Sequence, residues 1–299
     1  MSGSAKDRRP RVHLATSLPA EVEQALARDF ELVPTPDGAD GIVVTPAVRI
    51  DGAYFRAAGP QLRIVANYAV GIDNIDLGAA RTSGIVVTNT PGVLTNATAE
   101  HAIGLVLALL RRICEGDRSL RRRDHWEWGP DFMVGESLEG KELLVVGPGR
   151  IGRRVARLAE ALGARPVFAG RGDDLRALLG SADVVSLHCP LTPETHHLID
   201  AQALAAMKPT AVVVNTARGQ VVDEQALVNA LRTGALAGAA LDVYEFEPVV
   251  GEELLALDNV VLTPHIASAT REARLAMGML CVEALRAVLL ERRIPANAV

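Results

Sequence analysis

The stretch Lys141–Ala164, KELLVVGPGRIGRRVARLAEALGA, restricts the fold of this chain more than any other. A short apolar run enters the turn Gly147-Pro148-Gly149-Arg150-Ile151-Gly152, and Ile151, Val155, Leu158 and Leu162 then follow at helical spacing. A strand, a glycine turn and an amphipathic helix in that order aim the first N–H groups of the helix at an anion, and the missing side chains let a pyrophosphate come close. A lone GxGxxG is weak evidence because glycine turns are common. The strand before it and the helix after it supply the context of a dinucleotide site bordered by Gly147, Gly149, Arg150, Ile151 and Gly152.

A site of this kind needs a parallel sheet, and the rest of the chain provides the material for two. Its 299 residues suffice for two domains, and 49% hydrophobic with only 3% aromatic residues describes an α/β protein built on Ala, Val and Leu. A net charge of -5 argues against a nucleic-acid surface. The densest basic cluster, Arg121-Arg122-Arg123, reads as a solvated helix end. Cys114, Cys189 and Cys281 are far apart and odd in number, as for reduced thiols of a cytoplasmic protein. The first nine residues, MSGSAKDRR, lack the apolar core of a signal peptide and are expected to be disordered. The longest apolar run, Ala102–Leu110, is far short of the roughly 20 residues that span a bilayer, so no membrane association is expected.

Residues 11–90 alternate apolar runs (Val12–Ala15, Leu32–Val33, Ile42–Val44, Leu62–Ala66, Ile85–Val87) with helical or turn-rich stretches, the rhythm of a parallel sheet. Val70 and Gly71 fall just past the carboxyl end of one of these strands, where exposed N–H groups can hold a carboxylate; an ordinary turn is the alternative. Thr95 or Asn96 can cap a long apolar helix running to about Arg112, which places the first domain crossing near residue 96. The expected division is residues 1–96 plus 269–299 for the first domain and 97–268 for the dinucleotide domain. Trp126 and Trp128 share one Gly/Pro loop, as either a contact surface or the packing of a long connection.

The strand Arg165–Ala169 ends in Gly170-Arg171-Gly172, with Gly170 where an NAD site carries its ribose-binding acid. Gly170 with Arg171 favours NADP(H); Asp173 and Asp174, close behind, keep NAD(H) open. Only 12 residues separate Arg171 from the next strand, Val184–Leu187, so the third strand of a full half-Rossmann unit is expected to be missing or vestigial. Later strands end in polar loops on the cofactor edge: Pro190 and Thr195 after one, Arg218 after the next, then Asp242 with Glu247, then His265 and Ser268. Pro190 and Thr195 are thereby candidate cofactor contacts, and Ser268 a candidate substrate contact.

Reduction of a 2-keto acid takes a hydride donor, a cation for the carboxylate and carbonyl, and an acid for the developing alkoxide. Arg218 suits the second role because a guanidinium is always charged and grips a carboxylate through paired bonds. His265 suits the third, and Glu247 can accept from its far ring nitrogen and set the tautomer. Each alone reads more simply as an ion pair, a solvated acid and a core histidine. At successive strand ends beside a dinucleotide loop, they read as a catalytic set. His13, His101, His125, His188, His196 and His197 lack that setting, and no Cys/His spacing suggests a metal.

Residues 10–290 resemble the D-isomer-specific 2-hydroxyacid dehydrogenase family through ANYAVGIDNID, NTPGVLT, VVGPGRIG, SLHCPLTPET, NTARGQVVDE, LDVYEFEP and LTPHIAS. The resemblance implies two doubly wound, Rossmann-like α/β domains. The first is flavodoxin-like and made discontinuous by a last helix, Arg271–Leu290, with a crevice between the lobes that closes to exclude water. It implies that Arg218 binds substrate, that His265 donates the proton with Glu247 as its partner, that the backbone of Val70 and Gly71 takes the carboxylate, and that Asp242 meets the nicotinamide carboxamide. NTPGVLT, the Trp128-Gly-Pro130 loop and the Gly170-Arg171 ending most resemble the glyoxylate/hydroxypyruvate reductase branch, which implies a homodimer in which Trp128 caps the partner's site. The segment after Arg171 is shorter than the family's pattern, and the two tryptophans are one residue closer together. Dehydrogenases of lactate, phosphoglycerate or bulkier acids, and the non-enzymatic C-terminal binding protein corepressors, are the alternatives within the resemblance.

Overall fold

The computed structural model describes residues 8–126 and 128–299. The disorder expected of residues 1–9 thus falls largely outside the described residues. The chain forms two compact units, residues 1–94 with 269–299 and residues 95–268.

In the first unit, β1 (Arg11–Leu14), β2 (Glu31–Val33), β3 (Gly41–Val44), β4 (Ile64–Asn67) and β5 (Val86–Thr88) form a wholly parallel sheet in the order β2-β1-β3-β4-β5. That is the doubly wound order of flavodoxin-like sheets. Both faces are covered, which is why β3 and β4 read as unbroken apolar runs. One face packs Ile42, Val44 and Val65 with Phe55 and Ala80. The other receives the helix Arg271–Leu289, capped by the Thr270 hydroxyl on the Ala273 N–H. Gly41 permits that approach, since a Cβ there would lie 2.6 Å from Leu285, and Gly278 lets the same helix close on the helix Ala20–Asp29, where a Cβ would lie 2.4 Å from Val22.

In the second unit, β6 (Glu142–Val146), β7 (Arg165–Ala169), β8 (Val184–Leu187), β9 (Val212–Asn215), β10 (Gly238–Leu241) and β11 (Val260–Leu262) form a parallel sheet ordered β11-β10-β9-β8-β6-β7. Among the described residues no strand pairs beyond β7, as the short segment after Arg171 leads one to expect. Alternation divides the strands between two cores. Leu144, Val146, Val185 and Val213 enter one, and Leu143, Val145, Val212 and Val214 the other, packed under the helices Thr95–Leu110 and Arg150–Ala161.

The long apolar helix stops close to its expected end near Arg112. It ends at Leu110, Arg112 turns with φ 52°, and Ile113–Arg122 is a separate helix. The N–H of Glu136 donates to the carbonyl of Leu110, an interaction that a local sequence pattern does not disclose. Among the described residues no helix is long and apolar enough to cross a membrane.

Candidate active site

The glycine loop joins β6 to the helix Arg150–Ala161, and its glycines have distinct physical reasons. Gly147 has φ +97°, and a Cβ there would lie 2.7 Å from the N of Cys189. A Cβ on Gly152 would lie 2.3 Å from the carbonyl of Gly147, so this residue lets helix and strand close together. A Cβ built on Gly149 would meet nothing within 4 Å among the described residues. Gly149 is also the N-cap, and among the described residues no side chain caps the helix. Uncapped N–H groups behind an open glycine fit a pyrophosphate, which would take up donors that otherwise lack acceptors.

β7 ends beside this loop. Arg171 is exposed; the Thr192 hydroxyl, the Glu194 backbone and, less strongly, the Arg171 charge hold the Glu194 carboxyl below its usual range. Asp174 caps the helix Leu175–Ser181 through the Ala177 N–H at 3.2 Å, whereas Asp173 folds back onto the Gly170 N–H at 2.7 Å. After β8, burial pushes His188 down to about 4, so it is neutral there and bonded to the Ser186 hydroxyl at 2.8 Å. Pro190 is exposed, but the Thr195 hydroxyl is committed to its own loop: it donates to the Pro190 carbonyl at 2.6 Å and accepts from the Thr192 N–H at 2.8 Å.

Arg218 follows β9 in a segment braced from within. The buried Asn215 side chain accepts from the Ala217 N–H at 3.0 Å and donates to the Arg218 carbonyl at 2.9 Å, an Asx turn that sets the backbone on both sides of the guanidinium. An Arg218 terminal nitrogen donates to the Ala217 carbonyl at 2.7 Å. Beyond β10, the Glu247 carboxylate is divided between two partners. Oε1 accepts from the Tyr244 N–H at 2.9 Å, and Oε2 meets Nδ1 of His265 at 2.7 Å. A carboxylate at Nδ1 requires that nitrogen to carry the proton, which leaves Nε2 for chemistry. Both side chains are partly exposed, so a ligand can reach them.

His265 has φ 52°, a left-handed conformation that costs a non-glycine residue energy unless its surroundings hold it. Asp242 provides the hold. Its carbonyl accepts from the His265 N–H at 2.8 Å, Oδ1 accepts from the Ile266 N–H and the Thr263 hydroxyl, and Oδ2 accepts from the Ala267 N–H. Burial by itself raises the Asp242 carboxyl, but these bonds and the His101 ring outweigh it and keep it below its usual range. Asp242 is fully buried, and beside the expected carboxamide contact its carboxylate has a structural role, fixing the His265 loop. Ser268 lies half-buried at the end of that loop.

In the first unit the loop after β4 has its carbonyls tied down. Asn89 donates to the Val70 carbonyl at 2.9 Å and Asn67 to the Gly71 carbonyl at 2.6 Å. Among the described residues the N–H groups of Val70 and Gly71 have no hydrogen-bond acceptor, the arrangement suited to a carboxylate. Trp128 is 91% exposed.

Two further residues belong to the site and are not singled out by sequence reasoning. His101, grouped there with the histidines outside the catalytic set, has its Nε2 3.1 Å from the Thr263 hydroxyl and 3.4 Å from Asp242. Only the fold brings the helix Thr95–Leu110 to that loop. Asn215 carries a readable signal, since Asn-x-Ala-Arg after a strand is an Asx-turn pattern.

Residues 103–267 match the family described as D-isomer specific 2-hydroxyacid dehydrogenase, NAD binding domain. Glyoxylate reductase of Pyrococcus furiosus is 48% identical over 277 residues, covering 87% of this chain and 82% of that protein. Glyoxylate reductase of Aeropyrum pernix is 47% identical over 279 residues, covering 87% and 83%. Among solved structures, a Thermus thermophilus protein superposes with a TM-score of 0.90 at 44% identity, covering 97% of this chain and 99% of its own. An NADPH-dependent glyoxylate/hydroxypyruvate reductase of Sinorhizobium meliloti, crystallised with NADP and malonate, has a TM-score of 0.85 at 35% identity, covering 97% of both chains. With an NAD-binding domain, an open glycine cradle and a His–Glu pair on strand ends of the same sheet, this chain belongs to the D-isomer specific 2-hydroxyacid dehydrogenases, oxidoreductases that work with a nicotinamide cofactor.

Proposed function

We propose that this chain reduces glyoxylate to glycolate and hydroxypyruvate to D-glycerate, with NADP(H) preferred over NAD(H). The observation that carries the chemistry is the 2.7 Å contact between His265 Nδ1 and Glu247 Oε2 on a loop locked by Asp242. The similarity to glyoxylate reductases supports the substrate class.

Gly147–Gly152 would hold the cofactor, which would supply the hydride. Arg218 binds the substrate carboxylate and draws charge from the adjacent carbonyl. His265 gives its Nε2 proton to the carbonyl oxygen as the alkoxide develops, while Glu247 keeps the ring oriented. Ser268, Pro190 and Thr195 border the ligands in this reading, Thr195 by shaping its loop.

The test is oxidation of NADPH and NADH by the purified protein with glyoxylate, hydroxypyruvate and pyruvate. Turnover is expected with the first two acids and is faster with NADPH; no oxidation of either cofactor with any of the three sinks the proposal. Arg171→Ala is expected to raise the KM for NADPH far more than that for NADH, and equal effects would assign the preference to NAD(H).

We also infer a homodimer. The helix Ile113–Arg122 buries none of its residues within its own unit, leaving Ile113 and Leu120 56% and 63% exposed two turns apart, and Trp126, Trp128 and Phe132 are exposed just beyond it. An apolar stripe of this kind is covered in a stable protein, and a second copy in the cytoplasm is the partner that fits an enzyme of this family. Sedimentation equilibrium showing a monomer at micromolar concentration would reject this.

A further inference from the structure

Gly170 follows β7 at the point where an NAD-type domain carries an acid for the adenosine ribose. The strand end nevertheless has a carboxylate beside it. Gly172 turns the chain with φ +89°, and Asp173 comes back to place Oδ2 2.7 Å from the Gly170 nitrogen. A Cβ built on Gly170 would lie 3.7 Å from that oxygen and 3.6 Å from Pro148 of the glycine loop. The carboxylate of Asp173 therefore lies in contact distance of the point where a side chain at position 170 would begin. Asp174 is engaged elsewhere, as the cap of the helix Leu175–Ser181. Oδ1 of Asp173 makes no hydrogen bond among the described residues, so one acceptor remains at the strand end.

We propose that Asp173 is a specificity-determining residue that keeps NAD(H) usable: its carboxylate accepts the ribose 2′-hydroxyl in place of the acid missing at 170, and it disfavours NADP(H) by opposing the 2′-phosphate. The same carboxylate holds the Gly170 N–H, a donor the phosphate would otherwise gain. Arg171 and Asp173 then act in opposition, one attracting the phosphate and one serving the hydroxyl. The turn at Gly172 brings the acid back to the strand end, three residues beyond the glycine. This rests on reading residues 147–152 as the dinucleotide site.

The experiment is a binding titration without substrate, following the fluorescence of NADH and NADPH on addition of the wild-type protein, Asp173→Asn and Asp173→Ala, with a melting curve for each. Both variants are expected to shift the ratio of the two dissociation constants towards NADPH by about tenfold, equivalent to roughly 1.4 kcal/mol. A residue that serves only as a turn cap lowers the melting temperature and leaves the ratio unchanged, and that result overturns the proposal. So does a shift towards NADH. If the wild-type protein binds neither cofactor, the dinucleotide reading fails and the proposal with it; binding with an unchanged ratio defeats the proposal alone.

Discussion

His265→Ala is expected to lower kcat for glyoxylate reduction by a hundredfold or more while cofactor binding persists. A positioned general acid contributes about 10²–10⁴ in rate. The backbone at this position complicates the variant, because His265 has φ 52° and Ala adopts that region at a cost. His265→Asn is the cleaner partner, since Asn tolerates left-handed backbone and cannot deliver a proton as imidazole does. Loss of turnover in both, with NADPH still bound, assigns the acid; undiminished turnover in either rejects it. Arg218→Ala is expected to cost a similar factor, and Arg218→Lys to restore little of it, because an ammonium lacks the paired donors that match a carboxylate.

Gly219→Ala is the second change with a large expected effect, and it acts through shape. A Cβ at Gly219 would stand 1.9 Å from both the carbonyl carbon and oxygen of Tyr244, and 2.4 Å from the nitrogen of Glu245. These are backbone atoms, so no rotamer change relieves the clash and one segment must move. Overpacking of this kind costs about 3 kcal/mol. Both segments serve the site: Gly219 follows Arg218, and the Tyr244 N–H anchors Glu247. The variant is therefore expected to melt several degrees lower and to lose most of its turnover. Gly180→Ala, whose Cβ would find its nearest neighbour at an ordinary 3.6 Å, is expected to retain both and serves as the control. A Gly219→Ala protein with wild-type melting and kcat would refute the packing argument.

The sequence is most informative where a single segment contains the whole physical reason. β6, the glycine turn and the helix from Arg150 are readable because period and turn chemistry agree over 24 consecutive residues. Arg218, Glu247 and His265 can be named because parallel strands deliver their ends to one edge. What stays hidden depends on distant parts of the chain. His101 meets Thr263 across 162 residues. The break at Arg112 involves a partner at Glu136, and the different duties of Asp173 and Asp174 depend on a turn geometry that two adjacent, identical residues do not reveal.

The terminal helix Arg271–Leu289 has a bearing on how the chain is assembled. The first sheet draws five strands from the beginning of the chain and one covering helix from its end, and the hydrogen bond from Arg63 to the Val288 carbonyl joins residues 225 apart. The second unit, residues 95–268, is continuous and contains every strand of its own sheet. During synthesis the core of the second unit has all its parts before the helix Arg271–Leu289 is made, whereas one apolar face of the first sheet lacks that cover until those residues emerge. The sheet whose strands are made first is thus the one completed after the other.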